Sequence, residues 1–271
     1  MNLTDIPIGI GTWFLGEDRR KRNSEIAAIR CGLDLGLRVV DTAEMYGSGA
    51  SEELVGEAIA GRRDDVFLVS KVLPSNASAS GVRRALEASL YRLNTDRLDL
   101  YLYHWRGHHR LEETVEALQA AVDDGLIGAW GVSNFDPADM DDLADLGATP
   151  ATNQILYNLL RRGPEYDLLP LMRERGVELM AYSPLEQGRL FQGQAGKLLS
   201  EIAAEAGTTP AALALAWAVR EPGSIAIPRT SSPERMEENA SALQVTLTPE
   251  ILRDLDEVFT PPSGPRPLEI L

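Results

Sequence analysis

Residues 66–104, VFLVSKVLPSNASASGVRRALEASLYRLNTDRLDLYLYH, hold two short apolar runs, Val66–Lys71 and Leu98–His104, either side of a longer segment. Within Val82–Leu93 of that segment, Leu86, Leu90 and Leu93 fall on one stripe at helical spacing. A β-run, a helix and a second β-run in this order point to parallel strands, because parallel neighbours need a crossover connection.

The alternation extends in both directions. Ile8–Gly11 and RVVD (Arg38–Asp41) precede the quoted stretch; IGAWGVS (Ile127–Ser133), ATNQ (Ala151–Gln154), ELMAY (Glu178–Tyr182) and SIAIP (Ser224–Pro228) follow it. Between these runs, Ile26, Ile29 and Leu33 share a face within Glu25–Leu35, behind the candidate cap Ser24. Val115, Leu118 and Val122 do the same within Leu111–Val122, and Thr209-Pro210 reads as a cap followed by a first-turn proline. Such β–α units throughout 271 residues, with no Pro/Gly/Ser-rich linker, predict a single-domain (β/α)8 TIM barrel over residues 1–271, with extra helices near the C-terminus. The rival, a doubly wound sheet, is announced by GxGxxG after its first strand; here that strand gives GIGTWFLG (residues 9–16), which lacks the spacing of the third glycine and is not followed at once by a helix.

Composition narrows the function classes. With 44% hydrophobic and 25% charged residues, collagen-like, low-complexity and disordered chains are excluded. Lys and Arg total 26 against 41 Asp and Glu, and a formal charge of −15 argues against nucleic-acid or anionic-membrane partners. No apolar run approaches the length of a membrane span. The start, MNLTDIPIGIGTW, does not read as a signal peptide, so a cytoplasmic protein is expected. A single cysteine, Cys31, leaves no disulfide, CxxC pair or Cys-rich zinc site, and three histidines are too few for a His-rich one. No metal is expected, and Cys31 itself reads as core. His108 and His109, in RGHHR, read as surface residues.

Polar residues recur where the apolar runs end: Asp41, Lys71, His104, Ser133 with Asn134, Gln154, Tyr182 and Arg229. In a barrel these positions share one rim, where the βα loops build active sites. A charge at the end of a buried strand must be paired or functional.

These residues resemble the aldo-keto reductases. Asp41–Gly47 reads DTAEMYG, matching that family's DTAxxYG, and it is followed by Lys71 and by His104-Trp105. Gly131–Phe135 reads GVSNF, Gln154–Asn158 reads QILYN, Tyr182–Leu185 reads YSPL, and Ile227–Thr230 with Arg235 and Glu238-Asn239 is similar to IPKS…RxxEN. The motifs run in register over nearly the whole chain. The resemblance implies a barrel that binds NADPH without a Rossmann fold and reduces aldehydes or ketones to alcohols, with NADH possible. It implies Tyr46 as proton donor, Lys71 as the ammonium that lowers the Tyr46 pKa, Asp41 as the partner of Lys71, and His104 as the residue aligning the carbonyl oxygen. It further implies Ser133, Asn134 and Gln154 on the nicotinamide carboxamide, Tyr182 stacked on its face, and Ser183 and Leu185 near the pyrophosphate. Arg229, Thr230 and Arg235 would hold the 2′-phosphate, and Glu238 and Asn239 would lie towards the adenosine. Arg229 stands where the family usually has Lys, which preserves the charge and adds a two-pronged grip on phosphate.

The chemistry explains the residue types. Hydride addition to a carbonyl builds negative charge on oxygen, which an acid must neutralise. A phenol with a pKa of about 10 is a poor acid–base group unless an ammonium adjusts it. Trp13, Phe14 and Trp105 would supply an apolar wall for a small carbonyl substrate. The short loop after His104 and the brief tail TPPSGPRPLEIL (residues 260–271) suggest an open site. Two other readings stay in view: a cofactor-binding regulatory protein of the same fold, and an unrelated TIM-barrel hydrolase or isomerase. Oligomeric state is not legible, and a monomer is the working expectation. If Arg235 grips the 2′-phosphate, Arg235→Ala should weaken NADPH far more than NADH in a fluorescence titration, whereas equal losses would remove that role.

Overall fold

The computed structural model describes Leu3 and residues 5–271; the leader reading above rests partly on Met1, Asn2 and Thr4, which lie outside the described residues. Eight strands form one sheet in sequence order, all parallel: β1 (Ile10–Gly11), β2 (Val39–Asp41), β3 (Phe67–Val72), β4 (Leu98–Tyr103), β5 (Ile127–Ser133), β6 (Thr152–Leu156), β7 (Glu178–Tyr182) and β8 (Ser224–Ile227). Bridges Ile8↔Ala226 and Gly11↔Arg229 bring the two edges together, so the sheet curls into the expected (β/α)8 barrel.

Helices α1 (Arg22–Asp34), α2 (Ala50–Ala58), α3 (Ala79–Leu93), α4 (Leu111–Asp123), α5 (Pro137–Asp145) and α6 (Leu168–Glu174) cross over between successive strands up to β7. Two helices, α7 (Gly193–Glu205) and α8 (Pro210–Ala218), separate β7 from β8, and α9 (Pro233–Ser241) and α10 (Pro249–Val258) follow. The additional helices therefore do lie in the C-terminal part. Thr209 caps α8 as expected, and Ser78, Asp136, Ser232 and Thr248 cap α3, α5, α9 and α10. The expected cap Ser24 is corrected: α1 begins at Arg22, and Ser24 lies inside it, donating back to the carbonyl of Lys21 at 2.8 Å. Helix α8 shows no apolar stripe because every residue after Pro210 is buried.

The two-residue period of the strands sorts side chains into two cores. Leu68 and Val72 face outwards to the helices, while Val69 joins an inner cluster with Leu3, Val39, Leu100, Leu102, Met180, Ile225 and Ile227. That inner cluster fills the lower barrel. The next inward positions are Asp41 after Val39, Lys71 after Val69, His104 after Leu102, and Tyr182 after Met180. The pleat alone therefore stacks the polar residues above an apolar floor.

Two glycines set the β1 end. A Cβ on Gly11 would sit 2.7 Å from the carbonyl oxygen of Ile227, so the β1–β8 seam closes only because none is there. Gly16 has φ +85°, and a Cβ there would come within 2.5 Å of the Ala50 carbonyl oxygen. Its amide donates to the buried carboxylate of Glu25 at 2.9 Å. Gly16→Ala should therefore lower stability by about 2 kcal/mol or more, seen as a fall of roughly 5 °C in the thermal midpoint.

Candidate active site

Lys71 is fully buried at the top of the inner cluster, and all three protons of its ammonium are used. It donates to Asp41 Oδ1 at 2.6 Å, to the Thr42 carbonyl at 2.8 Å and to the Tyr46 hydroxyl at 3.1 Å. The other Asp41 oxygen accepts from Gln154 Nε2 at 2.8 Å, and the Asp41 backbone carbonyl accepts from Thr12 Oγ1 at 2.9 Å. Burial lifts the Asp41 carboxyl above its ordinary range, against the pull of Lys71 and Gln154. Burial also pulls Lys71 down, but Asp41 and Tyr46 together more than offset it, and the ammonium is held above its usual value.

Tyr46 opens a tight turn in which Gly47, Ser48 and Gly49 all have positive φ. A Cβ on Gly49 would meet Arg92 at 2.5 Å, and Arg92 is itself tied to the buried carboxylate of Glu52. Glu44 accepts from the Leu73 amide at 2.6 Å and from Asn76, joining the β2 and β3 loops beneath the turn. The Tyr46 hydroxyl accepts from Lys71, and among the described residues no acceptor holds its own proton. Lys71 does pull the Tyr46 pKa down as expected, through its charge and its hydrogen bond, but it does not act alone. Burial is the larger effect, Lys71 offsets it only in part, and the phenol sits above its ordinary value. Tyr46 is thereby kept protonated.

His104 lies one residue past β4, with its ring 6.0 Å from that of Tyr46 and 4.7 Å from that of Trp105. Burial, reinforced by the Lys71 charge, holds the imidazole well below 6.5, so it is neutral. Its Nδ1 is buried with no partner among the described residues.

A cavity of about 1050 Å³ opens above these groups. Asp41 and Tyr46 line it, as do Trp13, Trp105, Ser133, Asn134, Gln154, Tyr182, Ser183, Leu185, Arg229, Thr230, Arg235, Glu238 and Asn239, while Lys71 lies against the Tyr46 hydroxyl and the His104 ring packs beside Tyr46 and Trp105. On the floor, Ser133 donates to the Gln154 carbonyl at 2.8 Å, Asn134 to the His104 carbonyl at 3.1 Å, and Tyr182 to Asn134 Oδ1 at 3.0 Å. Burial pushes the Tyr182 phenol up to about 12. The loop after β7, with positive φ at Ser183, Glu186 and Gln187, is pinned by buried Glu186, which accepts from Asn158 and Arg161. At the far end, Arg229 and Arg235 have no carboxylate partner among the described residues, although most arginines of the chain are paired. Two uncompensated cations beside the start of α9 suit an anionic group.

The open-site expectation is corrected in one respect. Ile270 and Leu271 line the cavity mouth, and Glu269 pairs with Arg161. Phe191 and Met45 line it too. Met45 fills an open position of DTAEMYG and the others belong to no motif; their arrival from distant loops leaves no periodic signal. Cys31 is only half-buried, against the core, and lies away from the cavity.

The sequence model of the Aldo/keto reductase family matches residues 7–259. This chain belongs to the aldo/keto reductase family. It is 47% identical to the methylglyoxal reductase YeaE of Escherichia coli over 97% of this chain and 94% of that one. An aldo/keto reductase from Klebsiella pneumoniae, solved with NADP and acetate, superimposes with a TM-score of 0.94 at 46% identity, covering 98% of this chain and 95% of that one. A structure of an aldo-keto reductase from the same organism with NADPH gives 0.93 at 47% identity, with the same coverage.

Removing Lys71 tests the buried pair. Lys71→Met leaves Asp41 without its counter-ion and should lower the unfolding free energy by about 3–5 kcal/mol at pH 7 in urea titrations. The loss should shrink as pH falls, because a protonated Asp41 no longer needs a partner.

Proposed function

We propose that this chain reduces small aldehydes or ketones to alcohols with NADPH, and that Tyr46 supplies the proton. The observation that carries this reading is the Lys71 ammonium, fixed by Asp41 and Thr42 and donating to a Tyr46 hydroxyl whose own proton is uncommitted at the cavity wall. When bound, the dinucleotide supplies the hydride. Tyr46 gives its proton to the carbonyl oxygen as charge develops there, and Lys71, 3.1 Å from the phenol oxygen, stabilises the phenolate left behind. Asp41 keeps Lys71 charged and oriented. His104, held neutral, offers a hydrogen bond that aligns the carbonyl without competing as an acid.

The donor set fits NADPH. Ser133, Asn134 and Gln154 present amide and hydroxyl groups for a carboxamide, and Tyr182 offers a ring face beside them. Ser183 and Leu185 would flank the pyrophosphate. Arg229, Thr230 and Arg235 would take the 2′-phosphate, with Glu238 and Asn239 near the adenosine. NADH is the second cofactor to test. Trp13 and Trp105 would wall the substrate side. The activity in the name of the Escherichia coli relative makes methylglyoxal, a compact dicarbonyl, the first substrate to try. The same reading takes residues 1–271 as one working domain, acting as a monomer in the cytoplasm. It includes no nucleic-acid partner, which the formal charge of −15 supports.

Tyr46→Phe should lower kcat for methylglyoxal reduction by about 10²-fold or more while leaving the NADPH Kd unchanged. Full activity in this variant would sink the assignment. The raised phenol pKa sets the pH profile: the acid form is populated below it, so wild-type reduction should hold through neutral and mildly alkaline pH and fall only as pH rises through that pKa.

A further inference from the structure

Phe14 has φ +65°, a left-handed backbone that an aromatic residue rarely adopts. Both flanks of the turn hold it there. Leu15 N donates to the Thr12 carbonyl at 2.9 Å, and Thr12 is tied to Ser51 at 2.8 Å, while Gly16 lies against the Ala50 carbonyl and donates to Glu25. The strain delivers a ring that is 47% exposed at the cavity wall, stacked on Trp13 with centroids 4.4 Å apart. Across the β1–β8 seam the Arg229 guanidinium lies over that ring, 5.8 Å from its centroid. This is the contact recorded for a cation that has no carboxylate partner among the described residues.

The difference in partner matters. A carboxylate would occupy the guanidinium fork and cancel its charge, whereas an aromatic face steadies the cation and leaves every N–H free for phosphate. We propose that Phe14 is a positioning residue for cofactor selection: its strained turn holds Arg229 ready for the 2′-phosphate and so sets the preference for NADPH over NADH. The proposal rests on the assignment of Arg229 made above. It concerns binding of the phosphate end rather than the wall around the substrate.

The test is a set of nicotinamide-fluorescence titrations with NADPH and NADH on wild type, Phe14→Leu, Phe14→Tyr, Arg229→Leu and the Phe14→Leu/Arg229→Leu double variant. Phe14→Leu, which keeps apolar bulk without a π face, should weaken NADPH by about 2–5-fold and leave NADH essentially unchanged. Phe14→Tyr should retain the wild-type ratio of affinities. The double variant should bind NADPH no worse than Arg229→Leu alone, because the two side chains act as one unit. Equal losses for both cofactors in Phe14→Leu, a lost ratio in Phe14→Tyr, or independent losses in the double variant would overturn the proposal. If Arg229→Leu lowers the ratio but Phe14→Leu does not, only the role of Phe14 falls. If Arg229→Leu leaves the ratio intact, the phosphate assignment falls with it.

Discussion

The ion pair between Lys71 and Asp41, 2.6 Å apart and almost wholly out of solvent, is the constraint on which the rest of the upper barrel depends. Bringing two charges into a barrel interior is favourable only when every proton and lone pair finds a partner. Each neighbour can be read as an answer to that demand. The chain turns after β2 so that the Thr42 carbonyl points inwards, Gln154 reaches across from β6 to the second carboxylate oxygen, and Tyr46 folds back over the ammonium. A pair of well-packed apolar residues would stabilise the barrel equally well, so the pair is better understood as an instrument for aiming one phenol.

Charge is distributed in two tiers. Around the pair it is buried and internally balanced; at Arg229 and Arg235 it is exposed and unbalanced. The chain as a whole carries −15, and Glu238 lines the same cavity end, so two cations without a carboxylate partner stand out there. Most other arginines are paired with carboxylates, as Arg92 of α3 is with Glu52 of α2 and Arg161 with Glu186 in the loop after β7.

Much of this was legible in the sequence because a strand has a period of two. Once Val69 is assigned to the inner face, Lys71 must share it, and the same parity places Asp41 by Val39 and His104 by Leu102. The motifs then supplied the company each residue keeps. What escaped was whatever depends on three-dimensional surroundings. The effect of Lys71 on the Tyr46 phenol is visible in a sequence, while the desolvation that outweighs it and sets the net direction is not. The cap of α1 was misplaced because Ser24 looks the same one turn early or inside the helix, and only the Lys21 carbonyl decides. Ile270, Leu271 and Phe191 went unnoticed at the cavity mouth because loop closure brings together residues that share no repeat.

The apolar layer of Leu3, Val39, Val69, Leu100, Leu102, Met180, Ile225 and Ile227 does more than seat the polar tier. It turns the barrel into a blind alley. Whatever binds above it rests over a closed floor, with Trp13, Trp105 and the tail residues Ile270 and Leu271 in the surrounding wall. A ligand that enters from the rim therefore meets a wall of packed side chains and cannot pass through to the other end of the barrel. That stop is made by eight hydrophobic side chains, of which Ile227 also lines the cavity.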